Sequence, residues 1–131
     1  MRKVIIVTGG RDYSDVAIVA FYIEALISKL KNESTPKDQI LVIAGGASGA
    51  DAHAIKYCQK HKIRHMVMYA DWDEYDRAAG PLRNTAMLDV AITLVGTPQV
   101  QVLAFPGGRG TANMCRTAKL RGVPVTQAPI N

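Results

Sequence analysis

Cysteine is scarce in this chain, and what there is excludes two kinds of chemistry. Cys58 and Cys115 lie far apart in helix-like segments and form no C-x-x-C pair, so both are expected to be reduced, buried and apolar in behaviour rather than bridged or metal-bound. His53, His61 and His65 fall into no H-E-x-x-H or comparable spacing, and no metal site built on Cys or His is expected. Long apolar runs are missing as well. No window approaches the ~20 residues of a membrane span, and Met1-Arg2-Lys3 leads into a strand without a signal-peptide cleavage pattern. A cytoplasmic protein with no membrane partner is the expectation. Nucleotide motifs of the ordinary kinds are absent too: Gly9-Gly10-Arg11-Asp12 lacks the later glycines of G-x-G-x-x-G, and no G-x-x-x-x-G-K-[ST] string occurs. Gly46-Ala47-Ser48-Gly49 is one residue short of G-x-S-x-G, so serine hydrolase chemistry is not expected either.

Glycine, by contrast, is concentrated where it matters. Lys3 to Thr8 runs into Gly9-Gly10; Ile40 to Ala44 runs into Gly45-Gly46-Ala47-Ser48-Gly49; Val100 to Phe105 runs into Pro106-Gly107-Gly108-Arg109-Gly110-Thr111. Glycine averages about 7% of residues, so diglycines at the ends of three apolar runs are not a matter of composition. A strand that ends in glycines and turns into a helix presents bare N–H groups at the positive helix end, where phosphate is held.

The remaining pattern supplies the frame. Apolar residues at Val19, Tyr22, Ile23, Leu26, Ile27 and Leu30 have helical spacing, predicting a helix over 13–30 with Ser14 or Asp15 as N-cap. Further helices are predicted at 51–61, at 81–91 behind Pro81, and at 111–121, and further strands at 40–44, 64–69, 100–105 and 123–126, with a loop at 71–79. The order βαβαβαβαβ predicts an α/β fold: one domain over residues 1–131, a parallel sheet of about five strands with helices on both faces. Ligands of such sheets bind at the carboxyl ends of the strands, where all three glycine loops fall. Ile18, Phe21 and Ala25 add apolar surface to the first helix, read either as a homo-oligomer interface or as a wider burial stripe.

Individual side chains near the loops carry candidate roles. Arg11 can pair with phosphate, or shape its loop through Asp12 or Asp51. Asp51 either caps its helix or touches ligand. Ser48 offers a hydroxyl for a ligand or a turn. Trp72 or Tyr75 stacks on a base, or Trp72 anchors in the core. Asp71, Asp73, Glu74 and Asp76 form an acidic loop expected to be solvated rather than metal-binding. Arg83 and Asn84 are placed in the first turn of their helix, where a cation faces the positive dipole end and an anion would explain it. The net charge of +5 favours anionic partners. Lys56, Lys60, Lys62 and Arg64, and Arg116, Lys119 and Arg121, read as solvated helix ends, with nucleic acid left open as a partner.

Taken as an ordered set, Val7-Thr8-Gly9-Gly10-Arg11-Asp12-Tyr13, Gly45 to Asp51, Ala70-Asp71-Trp72, Ala78 to Asn84 and Phe105 to Met114 resemble the SLOG superfamily, named for the SMF/DprA and LOG proteins. The likeness is closest to its small YspA/YpsA-related branch. That resemblance implies a Rossmann-like fold and a nucleotide or nucleotide-derived ligand, with no further cofactor specified. The ligand-binding candidates are then Gly9, Gly10, Arg11, Gly45, Gly46, Ser48, Gly49, Trp72, Arg83, Asn84, Pro106, Gly107, Gly108, Arg109, Gly110 and Thr111. LOG enzymes release the base from nucleoside 5′-monophosphates through P-G-G-x-G-T-x-x-E and an arginine in R-K-x-x-M. Here Arg83 is kept, the lysine is Asn84, and the glutamate position is Met114. A thioether neither stabilises an oxocarbenium-like sugar nor activates water. The leading expectation is therefore a sensor or ligand-binding protein. The alternatives are a phosphoribohydrolase with Arg83, Asp12 or Asp51 in catalytic roles, and DprA-like binding of single-stranded DNA.

Overall fold

Residue alternation builds a sheet buried on both faces. The structure is a computed structural model that describes residues 1–129. In β1 (Lys3–Thr8), Ile5 and Val7 enter one core cluster while Val4 and Ile6 enter the other. In β2 (Ile40–Gly45), Val42 and Ala44 point one way and Leu41 and Ile43 the other. A twofold side-chain period gives this division when helices cover each face. The first face is covered by α1 (Val16–Leu30), through Val19, Ile23 and Ile27, and by α2 (Ala50–Lys60), through Ala54 and Cys58. The second is covered by α4 (Ala79–Val95), through Met87, Leu88 and Ala91, and by α5 (Arg109–Leu120), through Met114 and Ala118.

With β3 (Arg64–Met68), β4 (Val100–Ala104) and β5 (Val125–Gln127), the strand order is β3-β2-β1-β4-β5, and every pairing is parallel. The chain winds outward from β1 to β3, then returns to the other side of β1 for β4. The order thus reverses between β1 and β4, and the crevice at their carboxyl ends is where such folds place ligands. Pro124 precedes the edge strand β5, and its carbonyl accepts a hydrogen bond from Val102 N–H at 2.9 Å.

The expected α/β architecture is the observed one, with corrections at element ends. Helix α1 starts at Val16 rather than at residue 13, because Asp15 caps it by accepting from Ile18 N–H at 3.1 Å. The predicted loop 71–79 contains α3 (Trp72–Tyr75), capped by Asp71 through Glu74 N–H at 3.1 Å, and a 3₁₀ turn over Asp76–Ala78. Helix α4 starts before Pro81, which occupies an early position where an N–H has no intrahelical acceptor to lose. Arg83 consequently lies beyond the first turn, and the dipole argument for an anion beside it does not hold. Helix α5 begins at Arg109, so Gly110 and Thr111 belong to its first turn. Both cysteines are free and buried, and burial pushes the Cys58 thiol up to about 12. Of the three residues read as a wider burial stripe on α1, Ile18 is half-buried against the first core cluster, whereas Phe21 is 62% exposed and Ala25 is also exposed.

Candidate functional site

The three glycine loops are laced together by backbone hydrogen bonds. Gly10 N–H donates to Pro106 C=O at 2.8 Å, and Gly10 C=O accepts from Ala50 N–H at 3.1 Å, which joins the ends of β1, β4 and β2. Such closeness needs glycine. A Cβ on Gly10 would lie 2.8 Å from the Pro106 carbonyl oxygen, and Gly49, at φ +72°, faces the backbone of Gly10 and Arg11. Gly9 and Gly107 are equally enclosed, by Ala50 and Phe105 and by Gly10 and Thr111. Gly108 and Gly110 differ: a Cβ on either meets nothing within 4 Å, and neither has a positive φ. A side chain at either position would meet no neighbour, so the backbone there stands open.

Around these loops lie two adjoining cavities. The larger, about 750 Å³, is lined by Thr8, Gly9, Gly10, Arg11, Ala47, Asp51, Trp72, Arg77, Gly80, Pro81, Arg83, Asn84, Gly108, Arg109, Gly110, Thr111 and Asn113. The smaller, about 330 Å³, is lined by Arg11, Gly46, Ala47, Ser48, Tyr69, Ala70, Trp72 and Arg83. Arg11, Ala47, Trp72 and Arg83 are common to both. Four arginines thus line the larger cavity, and the carboxyl group among its lining residues is that of Asp51.

Asp51 is 5% exposed, in the first turn of α2. It is not the cap, which is Gly49; its Oδ2 instead accepts from Ala47 N–H at 3.3 Å. Burial pushes its carboxyl up to about 7, against the opposing pull of the Arg83 guanidinium, the Ala47 N–H and Arg11. Arg83 is half-buried, and burial lowers its pKa from the usual value, with Asp51 opposing the shift and Arg11 adding to it. Its Nε donates to Asn84 Oδ1 at 3.1 Å and its Nη1 to Met68 C=O at 3.4 Å. Asn84, 2% exposed, uses Nδ2 to reach Gly110 C=O at 3.1 Å and Asn113 Oδ1 at 3.0 Å. Asn84 therefore ties α4 to the first turn of α5 and orients Arg83.

Arg11 forms no ion pair with Asp12 or Asp51; among the described residues the pair within 4.0 Å is Arg121 with Asp89. Its guanidinium instead lies over the Trp72 ring, 5.2 Å from the centroid. Trp72 is 46% exposed, so it does not anchor in the core. Ser48 Oγ donates to Arg11 C=O at 3.1 Å, holding the loop after β1. Among the described residues no group of three or more His, Cys, Asp or Glu is placed to hold a metal ion.

Of the residues expected from sequence, Gly9, Gly10, Arg11, Gly46, Ser48, Asp51, Trp72, Arg83, Asn84, Gly108, Arg109, Gly110 and Thr111 line the two cavities. Gly45, Gly49, Pro106 and Gly107 line neither cavity: Gly45 is buried and Gly49 half-buried, whereas Pro106 and Gly107 are exposed, as is Asp12, which also lines neither. Met114 is fully buried in the core between the sheet and its helices. Sequence reading passed over Tyr69, Arg77 and Asn113. Tyr69 had a usable signal, since it directly follows β3, at the carboxyl edge of the sheet.

These features define a Rossmann-like α/β protein with a glycine-lined, arginine-rich cleft at the switch point of its sheet. The YspA, cpYpsA-related SLOG family matches residues 3–75. The Gene 61 protein of Mycobacterium phage D29 is 32% identical over 132 residues, covering 95% of this chain and 94% of that protein. The chain belongs to the YspA, cpYpsA-related SLOG family, as its ordered motifs imply. Among solved structures, TM1055 superposes with a TM-score of 0.64 at 19% identity, covering 95% of this chain and 72% of that one. DNA processing protein A (DprA) from Streptococcus pneumoniae superposes with a TM-score of 0.51 at 14% identity, covering 95% of this chain and 58% of that one. At these identities the two structures show the shared fold. Among the described residues no helix is long and apolar enough to cross a membrane.

Proposed function

We propose that this protein binds a phosphorylated nucleotide or nucleotide-derived ligand in the larger cavity, as a sensor or ligand-holding protein. One observation carries the reading. Arg11, Arg77, Arg83 and Arg109 line a single cavity beside Gly108 and Gly110, where a Cβ would meet no neighbour and the backbone stands open. Open glycines next to concentrated cations suit the close approach of phosphate oxygens. The accompanying carboxyl, Asp51, has its pKa pushed up to about 7 and so offsets little of that positive charge at neutral pH.

Asp51 also favours a second reading, cleavage of a nucleotide N-glycosidic bond. A buried carboxyl with a pKa near neutrality suits proton donation to a departing base. With Met114 in the core and Asp12 outside the cleft, Asp51 is the acid this reading would use. Chromatography of purified protein with nucleoside 5′-monophosphates, ADP-ribose and NAD separates the readings. Intact retained ligand without turnover supports the first. Free base whose release stops in Asp51→Asn supports the second. Retention of none of them, with salt-steep binding to single-stranded DNA, would replace both.

A further inference from the structure

The two cavities share Arg11, Ala47, Trp72 and Arg83, and two of these side chains touch each other. Arg11 and Trp72 line both, with the guanidinium lying over the indole face at 5.2 Å. The larger cavity holds the open glycines and most of the cations. The smaller has aromatic walls, Trp72 and Tyr69, with the Tyr69 ring lying against Gly46 so closely that a Cβ there would collide with it. One compartment therefore suits an anion and the other a flat ring. In the free protein, the residue best placed to serve the anion covers a surface best suited to the ring.

We propose that Arg11 and Trp72 form an exchange contact that selects ligands carrying a phosphate and a base together, specifically a nucleoside 5′-phosphate. Phosphate entering beside Gly108 and Gly110 draws the Arg11 guanidinium off the indole, because a charge-assisted hydrogen bond outweighs an exposed cation–π contact. The uncovered indole face then receives the base in the smaller cavity, which Tyr69 also lines. A phosphate without a base must compete with Trp72 for Arg11, and a base without a phosphate must compete with Arg11 for Trp72. Only the complete nucleotide satisfies both residues. This inference rests on the nucleotide-binding reading above and adds the pairing rule.

The test is calorimetric titration of the parent, Arg11→Ala, Trp72→Ala and Trp72→Phe with three probes: the tightest-binding ribonucleoside 5′-monophosphate, its nucleoside, and ribose 5-phosphate. Trp72→Ala should weaken the nucleotide about tenfold or more, as loss of a stacking platform does. The same variant should strengthen ribose 5-phosphate about two- to fivefold, because Arg11 is released. Arg11→Ala should weaken ribose 5-phosphate while strengthening the nucleoside by a similar small factor. Trp72→Phe keeps a ring in place and guards against misfolding of the alanine variant; it should stay within about threefold of the parent for the nucleotide. Equal weakening of nucleotide and ribose 5-phosphate by Trp72→Ala would make Trp72 structural and overturn the exchange, as would a nucleoside indifferent to Arg11→Ala. Failure of the parent to bind any of the three probes would instead remove the nucleotide reading itself, and the exchange with it.

Discussion

Asp51 and Arg83 converge on the backbone of Gly45 from separate helices, α2 and α4, without closing into an ion pair within 4.0 Å. A Cβ on Gly45 would collide with the Arg83 guanidinium and lie 2.8 Å from Asp51 Oδ2. The attraction between them is outweighed by the burial of Asp51, whose pKa rises rather than falls.

The first consequence is a pH-dependent stability. The Asp51 pKa is about 7 in the folded chain against 3.8 for an unperturbed aspartate, so between those values the native state binds more protons than the unfolded state. Stability contributed by this group is full below about pH 4, falls as pH rises to about 7, and is level above. The loss is on the order of a few kcal/mol at most. Asp51→Asn, which keeps an acceptor for Ala47 N–H, removes the penalty. In urea unfolding the variant should come close to the parent below about pH 4 and exceed it at pH 8. A less stable variant at pH 8 would mean that attraction to Arg83 dominates after all.

Ligand affinity should follow the same group in solution. A phosphate monoester is largely dianionic above its second pKa of about 6, so its own titration no longer raises affinity above pH 7. Ionisation of Asp51 places a negative charge in the cleft over that range and should weaken a nucleoside monophosphate by about three- to tenfold between pH 6.5 and 8.5. Asp51→Asn should flatten the profile. An unchanged slope in the variant would assign the dependence elsewhere.

Glycines of the same loops should respond oppositely to substitution. Gly10→Ala forces a Cβ against the Pro106 carbonyl oxygen at 2.8 Å and should cost about 1–3 kcal/mol in thermal or urea unfolding. Gly110→Ala fills open space in the first turn of α5 and should stabilise the fold by about 0.4–1 kcal/mol. Gly108→Val, at the N-cap of α5, meets no neighbour and should cost about 1–2 kcal/mol, as a β-branched residue replaces glycine at the cap. Both Gly108→Val and Gly110→Ala should nevertheless weaken phosphorylated ligands at least tenfold. Either variant binding like the parent would move the phosphate away from this loop.

That split shows what the sequence could and could not carry. Apolar runs ending in glycine announce strands and the edge at which they stop, because alternation and turn chemistry are local. The purpose of each glycine is not local: Gly10 and Gly108 look alike until the chain crosses between β1 and β4 and encloses one of them. Arg77 is illegible in the sequence for a related reason. It reads as one charge in an acidic loop, and reaches the cleft only because α3 and the following turn carry it there. Arg83 lies beyond the first turn of α4, so the helix dipole does not account for it; its position over Gly45 is what sets it in the cleft.

Asn84 provides the last prediction, because its atoms face the cleft wall yet are already used. Its Oδ1 accepts from Arg83 Nε, while its Nδ2 donates to Gly110 C=O and Asn113 Oδ1. A residue so engaged acts on ligand by holding Arg83 and the first turn of α5, not by touching it. Arg83→Ala should weaken a nucleoside monophosphate roughly a hundredfold and its nucleoside by less than about twofold, since a charged hydrogen bond to phosphate is lost. Asn84→Ala should weaken the monophosphate by a smaller factor and also cost about 1–3 kcal/mol of stability, because buried partners lose their hydrogen bonds. In the double variant, Asn84→Ala should add little further loss of binding to that of Arg83→Ala, as expected when one residue works through another. Additive losses would show that Asn84 meets the ligand itself, and equal losses for monophosphate and nucleoside would make Arg83 a structural residue.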